Sequence, residues 1–546
     1  MRNLVILTLC LVIAATVSAK GIVSAQFPEY LGQGSDAIGV MILVKTPDAL
    51  KGPTENPVLN KHNIASATQP KLIESLKAMY AEETGKELVY TSYWVANAVF
   101  ALVTKNMIDK IAEIPEVESV MPNIVMHSFG NAGPEVDDYT VRAEDTYNLA
   151  RMNVQKVWNE LSINGSGVKV GVVDSGLNTN LGFTDGKFVE GKCFKSGEVT
   201  TNITDVVGHG THVCGTIIGG SAKGTLYDMS WGFPMPDGSF DGRIGVAPGA
   251  KLYFAKVMGD DGKGDFNDIL AGMQWLCDLD GNPNTKDGVR VINVSLGAEE
   301  SVPEMRQYIK QVTDAGVILV VANGNSGKKC GSPADFPETI AIGATDANDK
   351  KASFSSIGPS EFDGQTHIRP DVCAPGVKVI SYFKDKLAKL DGTSMACPNA
   401  CGVVTLMLQA NPSLDREGVR SILKSTALDL DVSGPDNNTG WGRIDAYKAV
   451  KAALGKQSPL TAQLYALKNL DKDCRQSMER YHMGEIEDTV YLANVLSREN
   501  NLRQLADLLV SQRISVDSLI SYLQESAKDD KSVEMQQLVR SLKELK

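Results

Sequence analysis

The sequence predicts an α/β fold with a mostly parallel sheet between about residues 149 and 454. Short apolar runs alternate there with segments of helical periodicity. This alternation is typical of parallel strands joined by helices that cover both faces of a sheet. Such sheets place functional residues at the carboxyl ends of their strands, so the residues that follow these runs are the first candidates for a site. The strand-like runs are 168–173, 251–257, 289–294 and 317–321.

A different pattern precedes this region, between residues 38 and 122. Strand-like and helix-like segments follow there in the order β-α-β-β-α-β, which is the order of a ferredoxin-like α+β domain. Residues 123–148 are polar and irregular, with Gly130, Gly133 and Pro134, and we interpret them as a linker. The predicted elements are strand 38–45, helix 71–83, two strands within 87–103, helix 105–112 and strand 117–121.

The two ends of the chain differ from the rest. Arg2 is followed by a nearly continuous apolar run, 4–17, and by Ser18 and Ala19, which is the pattern of a signal peptide cleaved after Ala19. The run is shorter than the roughly 18 apolar residues that a membrane span needs, so we predict secretion rather than a stable membrane anchor. After residue 456 glycine is almost absent and leucine recurs at helical spacing, which predicts a small all-α region.

Charge and cysteine content narrow the possible partners. The chain has 546 residues, and its 66 acidic and 54 basic side chains give a formal net charge of −12. This charge argues against nucleic acid or an anionic membrane surface as the main partner. Eight cysteines remain after the signal peptide, none of them in a CxxC pair, so a structural zinc site is not expected. Buried free thiols and one or two disulfides stay open as alternatives.

Three short motifs place an aspartate, a histidine and a serine at the ends of predicted elements. Asp174 ends the apolar run Val-Lys-Val-Gly-Val-Val. His209 lies in the glycine-containing motif 205–216, where a helix is expected to begin. Ser394 lies in the motif 391–398, at the first turn of an apolar helix, where free N–H groups favour negative charge.

The chemistry of these three side chains is complementary. A serine hydroxyl is a poor nucleophile unless a base takes its proton during attack, and histidine suits that role near neutral pH. A carboxylate then holds the histidine tautomer and stabilises the imidazolium. Alone, a serine at a helix start is usually a cap, and an aspartate after a strand is usually a turn residue. Together, the three indicate a catalytic triad of Asp174, His209 and Ser394.

The sequence resembles the subtilase (subtilisin-like serine protease) family over roughly residues 150–450. The order of the three motifs is the subtilisin order. The resemblance implies a subtilisin-like three-layer fold and a secreted serine endopeptidase that hydrolyses peptide bonds through an acyl-enzyme, with no cofactor for catalysis. It also implies that His209, the first histidine of His-Gly-Thr-His, is the base rather than His212. Further motifs that resemble family signatures are 245–250, 291–297, 352–356 and 370–376.

The resemblance extends to the residues that contact substrate. The Gly-Asn of the family falls on Gly324-Asn325, so Asn325 is expected to donate its side-chain amide to the oxyanion, with the Ser394 backbone N–H as companion and Asn323 as the nearby alternative. An extended peptide is expected to add as a strand between two tripeptides, beside a roomy pocket of apolar or broad preference. The tripeptides are Gly262-Lys263-Gly264 and Ser295-Leu296-Gly297, and the pocket residues are Ala322, Gly324 and Ser326.

The segment ahead of the catalytic region resembles the inhibitory propeptide of the family. Residues 117–123 resemble the last strand of that propeptide, before its tail enters the cleft. The resemblance implies a zymogen whose propeptide serves as folding chaperone and intramolecular inhibitor, with self-cleavage between about 123 and 148. The predicted division is a signal peptide at 1–19, propeptide and linker at 20–136, a catalytic domain at 137–455 and a helical region at 456–546.

Two features depart from the family pattern. Asn399 stands where the family usually has a histidine, which puts stability more than activity in question. Residues 219–244 form an insertion that either edges the cleft or is a plain surface loop.

A candidate structural calcium site lies in residues 278–288. Oxygen-bearing side chains recur there at close to the alternating spacing of a calcium loop. The segment lacks the terminal bidentate glutamate of an EF-hand, and a plain turn has the same composition. The candidate ligands are Asp278, Asp280, Asn282, Asn284 and Asp287.

Two other functions stay open at this point. An inactive subtilase fold that serves as a binding protein is disfavoured by the intact triad and Asn325. A peptide ligase or cyclase would use the same residues in a cleft that disfavours water, and the sequence does not exclude it. Hydrolysis of polypeptide substrates is the default expectation.

Overall fold

The computed structural model of the chain describes residues 20–30, 37–52, 54–129, 146–197, 199–228 and 233–455, and separate positions between 478 and 544. These residues belong to two compact units, Met1–Ile124 and Val125–Lys546. The predicted signal peptide and most of the predicted helical region lie outside the described residues. Within the described part of the chain, no helix is long and apolar enough to cross a membrane.

The N-terminal unit is a small α+β structure. Its elements are β1 Ile22–Val23, α1 Phe27–Tyr30, β2 Ile38–Val44, α2 Pro57–Thr84, β3 Tyr90–Tyr93, β4 Ala98–Val103, α3 Met107–Ala112 and β5 Val117–Pro122. From residue 38 onward this is the β-α-β-β-α-β order that the sequence predicts. The strands form one sheet of order β1-β5-β2-β4-β3, in which β2 is antiparallel to both β4 and β5. Leu72 and Leu76 of α2 pack with Val40 and Ile42 in the core of this unit.

Helix α2 begins well before the predicted start at residue 71. Asn56 caps it, since its Oδ1 accepts the Leu59 N–H at 3.1 Å, and Pro57 occupies the first turn, where a missing N–H costs little. A second proline, Pro70, lies inside the helix. Both prolines resemble helix breakers in the sequence, which is why the prediction started too late.

The larger unit begins with a short strand and contains the predicted α/β region. Its strands are β6 Val125–Ser128, β7 Lys169–Asp174, β8 Phe188–Cys193, β9 Ser221–Asp228, β10 Phe233–Arg243, β11 Lys251–Lys256, β12 Lys263–Asp265, β13 Val291–Val294, β14 Leu296–Gly297, β15 Ile318–Ala322, β16 Ile340–Thr345, β17 Ser360–Phe362, β18 Gln365–His367, β19 Val372–Pro375, β20 Val379–Phe383 and β21 Lys386–Leu390. Its helices are α4 Tyr147–Arg151, α5 Val154–Leu161, α6 His209–Ile218, α7 Phe266–Cys277, α8 Arg306–Asp314, α9 Thr393–Ala410, α10 Arg416–Thr426, α11 Ala446–Gly455 and α12 Val533–Lys543.

Seven parallel strands form the central sheet, in the order β19-β16-β15-β13-β7-β11-β8. The four predicted strand-like runs are β7, β11, β13 and β15, so the predicted parallel α/β fold is confirmed. From β7 the sheet extends in both directions, through β11 to the edge strand β8 on one side and through β13 on the other. Such a reversal opens a crevice at the carboxyl ends of the strands, and β7 ends there at Asp174.

The insertion at 219–244 is a β-hairpin rather than a plain loop. Strands β9 and β10 pair antiparallel, and β9 also pairs in parallel with β21, which gives a four-stranded sheet of order β10-β9-β21-β20. The sequence could not indicate this sheet because β21 lies more than 150 residues further along the chain.

Seven of the eight cysteines that follow the signal peptide are described, and none of the seven is in a disulfide. Six of them are buried and Cys193 is half-buried. Cys474 lies outside the described residues. Buried thiols therefore pack as small apolar groups in this part of the chain.

Candidate active site

Asp174 and His209 meet at the carboxyl end of the central sheet. Asp174 is the last residue of β7 and His209 the first residue of α6, and both are buried. His209 Nδ1 lies 2.8 Å from Asp174 Oδ1. The next residue must be glycine, because a Cβ on Gly210 would collide with the Gly176 carbonyl oxygen and lie 3.1 Å from Asp174 Oδ1.

The surroundings of His209 favour its protonated form. Burial by itself opposes the imidazolium and is the largest single influence on the pKa. The charge of Asp174 and its hydrogen bond act in the other direction, and the charge of Asp205 adds to them. Together they raise the pKa of His209 above its ordinary value. A carboxylate that stabilises the imidazolium in this way is what a general base needs from its partner.

His212 has a different environment. Its Nε2 lies 3.1 Å from the Val379 carbonyl oxygen and 3.2 Å from that of Ala388. Burial lowers the pKa of His212 to about 3, so this imidazole stays neutral. The geometry thus pairs Asp174 with the first histidine of the motif and gives the second a packing role.

Asp205 is a buried carboxylate that the sequence analysis did not single out. It is 3% exposed and joins the end of β7 to the start of α6. Its Oδ1 accepts Ser175 Oγ–H at 2.9 Å and the Gly208 N–H at 2.8 Å, and its Oδ2 accepts the Thr211 N–H at 2.8 Å and the Thr211 hydroxyl at 2.7 Å. The residue at the N-cap, Gly208, has no side chain to cap the helix, so Asp205 takes over that task. The sequence signal that could have indicated this role is the position of the aspartate, four residues before His209.

Ser394 lies in the first turn of α9 and is fully buried. Its hydroxyl donates to the Ser295 carbonyl oxygen at 2.9 Å. Among the described residues, His209 Nε2 has no hydrogen-bond partner. The structure therefore pairs Asp174 with His209, while the Ser394 hydroxyl bonds to the Ser295 carbonyl oxygen and not to the imidazole. A rotation about the Ser394 side-chain bond is required before His209 can take its proton.

Asn325 points its amide at a backbone carbonyl of the same unit. Its Nδ2 donates to the Phe129 carbonyl oxygen at 2.5 Å. Its Oδ1 accepts from both the backbone N–H and the hydroxyl of Thr393, each at 2.9 Å, which fixes the orientation of the amide. Asn323 cannot compete, because its Nδ2 donates to the buried Ser356 carbonyl oxygen at 2.5 Å.

The strand β6 lies where the sequence predicts that an extended peptide adds. It forms the middle of a three-stranded antiparallel sheet, with β12 on one side and β14 on the other. The flanking strands contain four of the predicted substrate-contacting residues, Lys263, Gly264, Leu296 and Gly297. Opposite pairs are Lys263 and His127, Gly264 and Met126, Leu296 and Ser128, and Gly297 and His127.

The side chain of Phe129 fills a pocket next to this strand. It is 8% exposed, and its backbone N–H donates to the Ser295 carbonyl oxygen at 3.4 Å. A Cβ on Gly297 would lie 2.8 Å from Phe129 Cε2, so only glycine leaves room for the ring. Gly262 lies beside the neighbouring residue, since its Cβ would be 3.7 Å from Ser128 Oγ.

Two of the three predicted pocket residues, Ala322 and Gly324, are small and enclosed. Ala322 is fully buried at the end of β15. Gly324 has a φ of +99°, and a Cβ there would lie 3.0 Å from Ser356 Oγ. The resemblance implies that the tail after residue 123 enters the cleft, but it does not identify β6 as the strand that pairs with β12 and β14, because an irregular polar linker has no pattern that indicates where it binds.

Asn399, the residue that departs from the family pattern, is fully hydrogen-bonded. Its Oδ1 accepts from Asn148 Nδ2 at 2.8 Å, and its Nδ2 donates to the carbonyl oxygens of Pro375 and Met395 at 3.0 and 3.1 Å. Asn148 belongs to α4, so this buried pair joins α4 to α9. A matching polar partner explains how asparagine is accommodated inside α9.

Three of the five candidate calcium ligands lie close together. Carboxylate oxygens of Asp278, Asp280 and Asp287 are all within 4.8 Å of one another, and oxygen donors of this kind suit calcium. The two Asp287 oxygens also accept the backbone N–H groups of Leu279 and Asp280 at 3.1 and 2.8 Å. The two asparagines instead bond to each other, with Asn282 Oδ1 accepting from Asn284 N and Nδ2 at 3.2 Å.

Comparison with known proteins gives these contacts a context. Residues 165–442 match the subtilase family. Subtilisin BL of Lederbergia lenta is 36% identical over 307 residues, which is 56% of this chain and 98% of that protein. Subtilisin DY of Bacillus licheniformis is 37% identical over 272 residues, 49% of this chain and 85% of that protein.

A further relative is longer than this chain. Bacillopeptidase F of Bacillus subtilis (strain 168) is 32% identical over 402 residues, which is 67% of this chain but only 27% of that protein. The match thus spans about a quarter of the length of that relative. The parallel sheet, the Asp174–His209 contact at its carboxyl edge and the extent of these matches lead to one conclusion: the chain belongs to the subtilase family and is a subtilisin-like serine protease.

Proposed function

We propose that this chain is a secreted serine endopeptidase, made as a zymogen, that hydrolyses peptide bonds through an acyl-enzyme. The observation that carries the proposal is the position of the segment 125–129. Its strand β6 pairs with β12 and β14 as an extended substrate would, and its last carbonyl accepts the Asn325 amide at 2.5 Å. This is the geometry expected of a bound peptide whose scissile carbonyl sits in an oxyanion hole.

The catalytic roles follow from the contacts. Ser394 Oγ attacks the scissile carbonyl while His209 Nε2 takes its proton, and Asp174 holds the Nδ1–H of His209 at 2.8 Å. The developing oxyanion is stabilised by Asn325 Nδ2 and the Ser394 backbone N–H. His209 then gives its proton to the leaving amine, which departs. Water, deprotonated by His209, hydrolyses the acyl-Ser394 ester and frees the carboxylate and the serine.

The substrates are polypeptides that bind in an extended conformation. Main-chain bonds to β12 and β14 are independent of sequence, so they supply affinity, and side-chain pockets supply preference. The pocket before the scissile bond accepts the ring of Phe129, because Gly297 leaves its wall open. We therefore expect a preference for aromatic or large apolar residues at this position.

The N-terminal unit is the propeptide, which assists folding and inhibits the site. On this proposal the cut falls between Phe129 and Gly130, within the predicted window of 123–148, because Phe129 contributes the carbonyl next to Asn325. The segment 125–129 then remains as a product-like inhibitor until the propeptide is lost. Gly130 itself lies in the part of the chain that is not described.

Two further elements of the proposal concern location and stability. The signal-peptide pattern of residues 1–19 supports export, and Subtilisin BL and Subtilisin DY are among the relatives of this chain.

Calcium at Asp278, Asp280 and Asp287 would stabilise the loop that follows α7, without a part in catalysis. Chelator is expected to lower the melting temperature of the wild type. It is expected to have no such effect on a variant with Asp280→Asn, and an unchanged wild-type melting temperature would count against the ion.

The decisive experiment compares the full chain with its Ser394→Ala variant. The wild type is expected to digest casein, to react with a fluorophosphonate probe at Ser394 and to gain a new N-terminus at Gly130. The variant is expected to do none of these. If both proteins behave identically, the protease proposal fails.

A pair of variants tests the cut separately. Phe129→Asp places a charge in an apolar pocket and is expected to slow processing by about 10²-fold, whereas Phe129→Leu keeps an apolar side chain and is expected to be processed. Casein digestion with a new N-terminus at another residue would reject the cut at Phe129 but leave the endopeptidase intact.

A further inference from the structure

Lys256 is a buried lysine beside the catalytic aspartate, and it takes no part in the chemical steps described above. It is the last residue of β11 and lies opposite Asp174 in the register of β11 and β7. Only 8% of it is exposed. Lysine is almost never buried to this extent unless its ammonium group is paired, so its partners indicate what it does.

Three oxygen atoms lie around the ammonium group. Lys256 Nζ donates to the Ser175 carbonyl oxygen at 2.5 Å and to the Thr204 carbonyl oxygen at 3.0 Å. It also lies 3.5 Å from Asp260 Oδ1. An ammonium group has three N–H donors, so each of them has an acceptor nearby. The Asp260 side chain is 66% exposed, so water weakens this ion pair, and the two backbone carbonyls are the principal partners.

The two carbonyls belong to the turns that carry the two acidic residues of the site. Ser175 directly follows Asp174 in the first turn. Thr204 directly precedes Asp205 in the second. The turns are in direct contact, because a Cβ on Gly176 would lie 2.6 Å from the Asp205 Cα. The ammonium group therefore joins two neighbouring turns to the end of a third segment, β11.

We propose that Lys256 is a positioning residue for catalysis, which holds the turns of Asp174 and Asp205 in register. In this way it orients the His209 ring. Asp174 lies 2.8 Å from His209 Nδ1, and Asp205 holds the start of α6 through two backbone N–H groups. A shift of one turn against the other would therefore tilt the imidazole relative to its carboxylate, and hydrogen bonds weaken steeply when they are misaligned. The inference rests on the proposed function, because the role of Lys256 is a role in that reaction.

Lys251 is a matched control within the same strand. It is the first residue of β11, at the opposite end from Lys256, and it is exposed. Its Nζ also donates to a backbone carbonyl oxygen, that of Gly186, at 2.6 Å. A general effect of a lysine–carbonyl contact on stability is therefore expected at both lysines, and an effect on catalysis at Lys256 alone.

The kinetic test uses the full chain after its own processing, with a chromogenic peptide as substrate. Lys256→Met keeps an unbranched side chain but removes its charge and its donors. It is expected to lower kcat by about 10–10²-fold with little change in KM, because a small displacement at the reacting groups slows the chemical step without affecting peptide binding to β12 and β14. Lys256→Arg keeps a charged donor and is expected to recover part of kcat. Lys251→Met is expected to keep the kcat of the wild type.

Two kinetic results would overturn the proposal. The first is a wild-type kcat in Lys256→Met, even with a lower melting temperature, because that is the behaviour of a purely structural lysine. The second is an equal loss of kcat in Lys251→Met. If Lys256→Met does not fold, Lys256→Gln retains an amide with two N–H donors and is expected to show a smaller loss of kcat. No loss in that variant would count against the proposal.

A spectroscopic measurement does not depend on hydrolysis. In the Ser394→Ala background, the proton between Asp174 and His209 Nδ1 is followed by its far-downfield NMR signal, which His209→Ala removes. Lys256→Met is expected to shift this signal, and Lys251→Met to leave it in place. If the wild type hydrolyses no peptide while Lys256→Met still shifts the signal, the proposed function fails and the effect on His209 is confirmed. If peptides are hydrolysed but Lys256→Met changes neither kcat nor the signal, the positioning role alone fails.

Discussion

Around His209 every contact is made within the site, whereas around Ser394 and Asn325 one of the contacts is made to the segment 125–129. Asp174 holds one nitrogen of the imidazole, and Asp205 holds the turn that carries it. On the other side, the Ser394 hydroxyl bonds to Ser295 and the Asn325 amide bonds to Phe129. We call Asp174, Asp205 and His209 the His209 half of the site, and its contacts are thus made before substrate arrives. Ser295, Asn325 and Ser394 form the Ser394 half, which changes its hydrogen bonds with the ligand.

Sequence distance explains part of this difference. Asp174, Asp205 and His209 lie within 36 residues and meet at one strand end and one helix start. Ser295, Asn325 and Ser394 come from segments far apart in the chain, and only the sheet and α9 bring them together. Residues that are close in the sequence fix their own geometry. Residues that are far apart in the sequence depend on the sheet and α9 that bring them together, and on the ligand.

The largest expected effect comes from removing one catalytic side chain from each half. Ser394→Ala and His209→Ala are each expected to lower kcat by a factor on the order of 10⁶, and the double variant by no more than either, because the two side chains act in one proton transfer. The measurement is kcat on a chromogenic peptide. Multiplicative losses in the double variant would mean that the two halves act independently.

The next effect concerns Asn325, the proposed oxyanion donor. Asn325→Ala is expected to lower kcat by about 10²–10³ with little change in KM, because the amide bonds most strongly to the transition state. Asn323→Ala is the matched control, since Asn323 donates to buried Ser356 and should affect the melting temperature rather than kcat. A similar loss of kcat in both variants would show that the amide of Asn325 has no special role.

A smaller effect is expected at Asp205. Asp205→Asn puts an NH2 group against two of the four donors that contact this side chain, and it is expected to lower the free energy of unfolding by about 1.5–3 kcal/mol. It also removes a negative charge that raises the pKa of His209. Since neutral His209 is the base, kcat/KM is lost as pH falls through this pKa, so the acidic limb of the profile moves to lower pH. Asp185→Asn, on an exposed carboxylate, should leave both quantities unchanged.

The smallest effect is expected at the pair that joins α4 to α9. Asn148→Ala leaves Asn399 Oδ1 buried without its donor, which is expected to cost about 1–3 kcal/mol of unfolding free energy. Activity per folded molecule should stay the same, since the pair does not contact substrate. Denaturant titration in the Ser394→Ala background measures the first quantity, and an unchanged midpoint would contradict this view of the pair.

The sequence predicts the fold and the elements that carry Asp174 and His209 well because these depend on local signals. The buried strand run before Asp174 and the glycines around His209 indicate their own geometry, and β7 and α6 begin or end at those residues. Asp205 was overlooked because it acts as a helix cap from outside the usual capping position. The hairpin of β9 and β10 was missed because it pairs with β21, a strand far along the chain.

Other features could not be predicted because they depend on contacts between residues that are far apart in the sequence. No pattern in the polar segment after residue 122 indicates that Phe129 reaches Asn325. The direction of the Ser394 hydroxyl is decided by the nearby Ser295 carbonyl. Likewise, Lys256 resembles an ordinary lysine at a strand end in the sequence, and only its burial and its contacts with the two turns distinguish it.

The strand β6 has a consequence for how the enzyme would become active with time. On the proposed function, the strand competes for the cleft as a tethered ligand while the chain is intact, at an effective concentration in the millimolar range for a short link. The proposed cut after Phe129 would remove the tether on one side and turn the same contacts into an ordinary bimolecular equilibrium. Inhibition then depends on how concentrated the solution is, so dilution on release from the cell would itself promote activation.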